Sequence, residues 1–150
     1  MAQYELGINT TVTTTAAAAA ELRAASGTPI RLRELGLTLA VATASTYGIG
    51  RPAAIGITPT SPKTVLPSNP SDPAGTATTA VAWGTGPTVP AEFLRRITLP
   101  ATVGAGVIWT WELGRFIIGP GNAAAGVASI VVWNLATNAN NMNLYFSLVD

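Results

Sequence analysis

The feature that most restricts this chain is a two-residue period in its apolar side chains. Along residues 107–113, Val107, Trp109, Trp111 and Leu113 fall on one side of an extended backbone, with Thr110 and Glu112 on the other. Alternation of this kind marks a strand with one face in a core. A similar pattern begins at Ile30-Arg31-Leu32-Arg33, slips by one at Arg33-Glu34 and resumes as Leu35, Leu37, Leu39 and Val41. One extra residue in a strand, a β-bulge, produces such a slip. Further strands are predicted at 3–8, 47–57, 76–83, 93–99, 116–118, 127–135 and 143–149. Turn chemistry separates them at Ser26-Gly27-Thr28-Pro29, Gly84-Thr85-Gly86-Pro87, Gly104-Ala105-Gly106, Gly119-Pro120-Gly121-Asn122 and Asn138-Ala139-Asn140-Asn141. Many short strands divided by turns predict an all-β domain, an antiparallel sandwich or barrel.

One stretch admits two readings. Ala16 to Ala20 and the following Glu21-Leu22-Arg23-Ala24-Ala25 have high helix propensity, with Thr15 as a candidate N-cap. An isolated helix of that length is marginal, and the preceding Thr-rich run from Thr10 to Thr15 favours extended backbone. A strand is favoured over a short helix, and residues 1–28 are expected to form an extended N-terminal strand or arm.

A length of 150 residues suits one domain spanning 1–150. Eight basic and seven acidic side chains are few for the surface of a dispersed monomer, while 48% of the residues are apolar. No apolar run reaches the roughly 20 residues of a spanning helix, and the N-terminus lacks the basic start and apolar core of a signal peptide. No membrane partner is therefore expected. The seven arginines are scattered, and Lys63 is the single lysine, so no concentrated basic face is available for nucleic acid. The pairs Arg31/Arg33 and Arg95/Arg96 are read as solvent-facing or ion-paired positions.

The chain has neither histidine nor cysteine. That withholds the usual proton carrier at neutral pH and the usual ligands of zinc and copper. Glu34, Glu92 and Glu112 are the least implausible carboxylates for acid/base work, although pairing with nearby arginines is the more ordinary use. Asp72 alone makes a poor calcium site. The short glycine loops are not followed by a helical pattern, so they offer no phosphate cradle. No catalytic residue, cofactor or metal is assigned, and a non-enzymatic protein is expected.

Two segments point to assembly. In 127–135, Ile130 and Val132 share one face while Val131, Trp133 and Leu135 share the other; in 143–149, Leu144, Phe146 and Leu148 oppose Tyr145 and Val149. A strand apolar on both faces needs a second layer or a second chain, and a second chain is expected here. Between 58 and 74, Pro59, Pro62, Pro67, Pro70 and Pro73 argue against a strand and for a stiff polyproline-like excursion, either a plain loop or an arm reaching a neighbour. The candidate contact residues are Pro59, Pro62, Lys63, Pro67, Pro70, Val131, Trp133 and Tyr145.

Three stretches carry a resemblance: RLRELGLTLAVATASTYGIGRPAAIGI, AGVIWTWELGRFIIGPGNAAAGV and VVWNLATNANNMNLYFSLVD. Their Glu34-Leu35-Gly36 strand, Gly50-Arg51-Pro52 turn, Trp-bearing strand, Gly-Pro-Gly loop near 120 and final aromatic strand resemble the small capsid decoration proteins of tailed bacteriophages. The resemblance implies a jelly-roll or TNF-like β-sandwich and a homotrimer seated on the major capsid protein, at the outer surface of a virion made in a bacterial cytoplasm. The alternative reading is a tail-fibre or lectin-like module binding host surface carbohydrate. Its candidate cluster is Asn134, Asn138, Asn140, Asn141 and Tyr145.

Overall fold

The apolar alternation closes a core between two antiparallel sheets. The structure is a computed structural model and describes residues 1–12, 16–112, 115–121, 123–137 and 140–150. The strands are β1 (Gln3–Val12), β2 (Ala17–Arg23), β3 (Ile30–Leu39), β4 (Ser45–Gly50), β5 (Ile57–Pro59), β6 (Pro62–Thr64), β7 (Leu66–Pro67), β8 (Thr78–Ala80), β9 (Trp83–Thr85), β10 (Arg95–Leu99), β11 (Gly106–Thr110), β12 (Ile117–Ile118), β13 (Ser129–Asn134) and β14 (Asn140–Val149). One helical turn, α1 (Ala125–Ala128), precedes β13.

The pairing is nested. β1 pairs with β14, β2 with β13, β3 with β11 and β4 with β10, each antiparallel, so the chain is one long hairpin rolled up on itself. Successive rungs fall in alternate sheets, giving the orders β11-β3-β14-β1-β7 and β10-β4-β13-β2-β8-β6. That connectivity is a jelly roll, and the fold is an all-β antiparallel sandwich. Leu35, Leu37, Leu144, Phe146 and Leu148 from the first sheet meet Leu22, Tyr47, Ile49, Ile130 and Val132 from the second. The accessible surface, 6851 Å², sits close to the roughly 7,100 Å² typical of a folded monomer of this mass.

The slip at Arg33-Glu34 is a real irregularity. Ser147 pairs with Glu34 and Leu148 with Leu32, so Arg33 is the extra residue. Trp109 is buried and Val107 and Trp111 pack on the core, whereas Val41 lies exposed past the end of β3 and Leu113 is outside the described residues. The alanine-rich stretch is strand, because pairing with β13 and β8 and burial of Ala20 and Leu22 override its helical propensity. Thr15 is not among the described residues. Several predicted strands are shortened: the one at 47–57 stops at Gly50, that at 76–83 is only Thr78–Ala80 with Trp83 in the separate β9, that at 93–99 begins at Arg95, and the first residues of 127–135 belong to α1.

The proline-rich excursion does contain strands, contrary to its composition. β5 pairs with β9, β6 extends the second sheet beyond β8, and β7 extends the first beyond β1. Pro59, Pro62 and Pro67 sit in two- and three-residue strands at sheet edges, where a missing N–H costs little and blocks further growth. Tyr4 donates to the Pro73 carbonyl (3.2 Å), Ser68 N–H to the Gln3 carbonyl (2.8 Å), and the Thr76 N–H and hydroxyl both bind the Asp150 carboxylate. The excursion is therefore fastened to its own domain.

The segment between β4 and β10, on either side of that excursion, supplies the layer that β13 needs. Trp133 pairs with Gly48 and Val131 with Gly50, so these four positions share the outer face of the second sheet. A Cβ on Gly48 would sit 2.7 Å from Phe93 Cδ1 and 3.0 Å from Leu135 Cδ1, and one on Gly50 would sit 2.9 Å from Pro90 Cγ. Phe93 and Pro90 thus lie against that face. On its other side Glu21, opposite Val131, accepts from Trp83 Nε1 (3.1 Å) and from Arg23 Nη2 (2.9 Å to each oxygen), while the same guanidinium nitrogen donates to the Gly56 carbonyl (2.8 Å). Glu21 is a buried carboxylate with 2% of its side chain exposed, and its partners leave no charge unmatched. Val131 and Trp133 are wholly buried as a result.

Gly48→Ala should destabilise the fold by about 1–3 kcal/mol in denaturant unfolding, the usual cost of overpacking. Adding Phe93→Ala should recover part of that loss. Strictly additive costs would show that Phe93 does not seal this face.

Candidate functional site

The two outer faces of the sandwich differ. The second sheet is roofed by the chain itself; the first is open over its middle rows. Register places Gly7, Tyr145, Gly36 and Ile108 side by side across β1, β14, β3 and β11, with Asn9, Asn143, Thr38 and Gly106 in the next row. Between these rows lies a depression of about 820 Å³. Gly36 is required there, since its Cβ would fall 2.1 Å from Tyr145 Cε1: the tyrosine ring lies flat over the glycine. The Tyr145 hydroxyl donates to Glu34 in the adjoining row.

Asn9 organises the amides. Its Nδ2 donates to Asn141 Oδ1 (2.7 Å) and Asn143 Oδ1 (2.9 Å), which leaves the Nδ2 groups of both acceptors turned away from it. Asn143 lines the depression and is exposed. No basic side chain lines it, and the row beyond Tyr145 carries the carboxylates Glu5 and Glu34.

The residues expected from sequence are dispersed. Pro59, Pro62, Lys63 and Pro70 are exposed on the excursion and Pro67 is half-buried. Val131 and Trp133 were expected to meet a second chain, but residues of the chain's own segment between β4 and β10 cover them, so neither offers contact surface as folded. Tyr145 is half-buried on the open face, on the opposite sheet from β13. Of the asparagine cluster, Asn134 and Asn140 are buried, Asn138 lies outside the described residues, and Asn141 joins Tyr145 on the open face. Sequence reasoning missed Asn9, Asn143, Gly7 and Thr38. The signal was present in the alternation of β1 and β14, but their mutual register was needed to bring it together.

The carboxylates are used locally. Glu34 takes the Tyr145 hydroxyl, Glu112 pairs with Arg115 (3.2 Å) in solvent, and Glu92 is exposed in the loop that leads into β10 of the other sheet. Of the positions expected to be solvent-facing or ion-paired, Arg96 is exposed and Arg95 half-buried, and both stack on rings, with guanidinium carbons 4.6 Å from the Trp111 centroid for Arg95 and 5.6 Å from that of Phe93 for Arg96. Arg33 donates to Gln3 (2.8 Å). Among the described residues no group of three metal-ligating side chains forms.

No known family model matches the chain, and no curated protein matches it. Among solved structures, the coat protein of Tobacco streak virus aligns over 97% of this chain and 86% of its own, with 10% identity and a TM-score of 0.32. A likeness at that score carries no argument, and the jelly-roll assignment rests on the strand order given above.

Tyr145 supplies a pH test of the open face. Its phenol is pushed up to about 12, first by the hydrogen bond to Glu34 and then by burial. Because the folded value lies above the unfolded one near 10, the contribution to stability is complete below pH 10 and lost between pH 10 and about 12. Glu34→Gln should bring the titration of Tyr145 down, read as the difference in tyrosinate absorbance from Tyr145→Phe. An unchanged midpoint would refute the Glu34 assignment.

Proposed function

We propose that this chain is a non-enzymatic virion structural protein, a subunit that decorates and cements a bacteriophage head as a homotrimer on the major capsid protein. The observation that carries the reading is an asymmetry between the two lateral edges of the sandwich. At the β1/β2 edge, β7 closes the first sheet and β8 and β6 the second, all short strands and the two outermost, β7 and β6, proline-bearing. At the β10/β11 edge nothing pairs among the described residues. Trp111 N–H reaches the Arg33 carbonyl and Leu39 N–H the Ala105 carbonyl (2.8 Å each), so alternation turns the Ile108 and Thr110 backbone groups away from β3, toward the open side. Exposed apolar side chains cluster near this edge, including Ile108 (61% exposed) and Val103 (62%).

An unpaired strand edge with apolar side chains, on a charge-poor protein, is a template for another chain. In a closed three-fold ring each protomer would offer this edge to a different surface of its neighbour. Pro59, Pro62, Lys63 and Pro70 project from the opposite side, where a stiff fastened excursion can meet the shell at little entropic cost. Binding only the assembled shell would stabilise it by mass action.

Light scattering after size exclusion should give three times the 15.3 kDa protomer mass, and the protein should co-sediment with capsids and be present in hundreds of copies per virion. Ile108→Pro removes the donor at the open edge and leaves the β3 ladder intact, so it should yield protomers. A wild-type monomer at micromolar concentration would end the assembly reading; a trimer that ignores capsids would end the decoration reading.

A further inference from the structure

The depression on the first sheet is not explained by assembly at the β10/β11 edge. Four glycines line it, and the fold accounts for three of them. Gly104 has a φ of +84°, a conformation that favours glycine. Gly36 is held by the Tyr145 ring, and a Cβ on Gly106 would strike the Leu37 carbonyl at 2.4 Å. Gly7 is different: a Cβ there would meet nothing within 4 Å. Glycine in the middle of a strand weakens it, so a side chain at position 7 would add packing at no steric cost. Its effect in this molecule is to keep the depression open.

We propose that this face is a binding site for a neutral carbohydrate. The lining combines the two chemistries a sugar ring needs. Flat apolar surface comes from the glycine backbone, the exposed Ile108 side chain and the Tyr145 ring, against which the C–H face of a pyranose can lie. Uncharged hydrogen-bonding groups flank it: Asn143, whose Nδ2 is turned away by the Asn9 bond, and the exposed Thr38 hydroxyl. Charge selects among ligands. With no cation in the lining and Glu5 and Glu34 in the next row, phosphate, sulfate and sialate groups are repelled, which leaves hydroxyl-rich neutral rings as the matching class. The volume lies within the range of ordinary small-ligand sites. The site adjoins the proposed assembly edge, since Gly106, Val107 and Ile108 of β11 line it, but its polar groups Asn143 and Thr38 lie on β14 and β3.

The test uses the purified full chain on an array of neutral oligosaccharides of glucose, galactose, mannose and N-acetylglucosamine beside sialylated and sulfated ones, followed by calorimetry with the best neutral binder. Gly7→Leu should fill the depression, reducing affinity at least tenfold while leaving the thermal midpoint no lower and the oligomeric mass unchanged. Asn143→Ala, a truncation at an exposed position, should weaken the same ligand even if Gly7→Leu fails to fold. Binding to no glycan, binding to anionic glycans only, or binding indifferent to both substitutions would overturn the proposal. A Gly7→Leu protein that loses oligomeric mass would overturn it too, because the face would then belong to a second copy. None of these results bears on co-sedimentation with capsids, which tests the decoration reading separately.

Discussion

Keeping water from the outer face of β13 is the requirement on which the rest of this structure depends. Val131 and Trp133 project away from the core, and the burial of two such side chains is worth several kcal/mol. Residues from the segment between β4 and β10 meet that need, with Phe93 and Pro90 lying against Gly48 and Gly50. Holding the cover in place demands polar anchoring, and the buried Glu21 provides it by gripping Trp83 on one side and Arg23 on the other, while Arg23 also holds the Gly56 carbonyl. A carboxylate this deep is tolerable only because each oxygen has a donor.

That arrangement makes the sandwich lopsided. One sheet becomes the middle of three layers, while the other keeps an open face floored by glycine. The same segment runs to the β1/β2 edge and closes both sheets there, while at the opposite edge no further strand pairs with β10 or β11 among the described residues. The proposed assembly surface and the proposed sugar site are both consequences of where that segment does not go. Jelly rolls serve many functions, so strand order alone does not select one.

Much of the local structure was legible in the residues. Alternation identified the buried side of β11 at Trp109, and the slip at Arg33 located a bulge whose partner strand shows the matching shift at Ser147 and Leu148. Alanine-rich β2 has helical propensity, which counts only neighbours along the chain, yet the strand favoured for it is what pairing with β13 and β8 produced. The prolines argued against strands because proline cannot sit within a sheet, yet sheet edges accept it. Asn9 and Asn143 went unnoticed as a pair because they lie at opposite ends of the sequence and meet only through the β1–β14 register.

The sequence by itself determined that the chain is β, where its strands bend, and which side of each strand is apolar, since those properties depend on residues one or two positions apart. It also determined that β13 has two faces to hide. Tertiary structure alone decided that the cover is the chain's own segment between β4 and β10 rather than a second chain, and that the first sheet is left open. That decision is one of distance: Phe93 and Trp133, or Gly7 and Tyr145, become neighbours only after the nested hairpin has rolled, and no local periodicity records which remote segment will arrive.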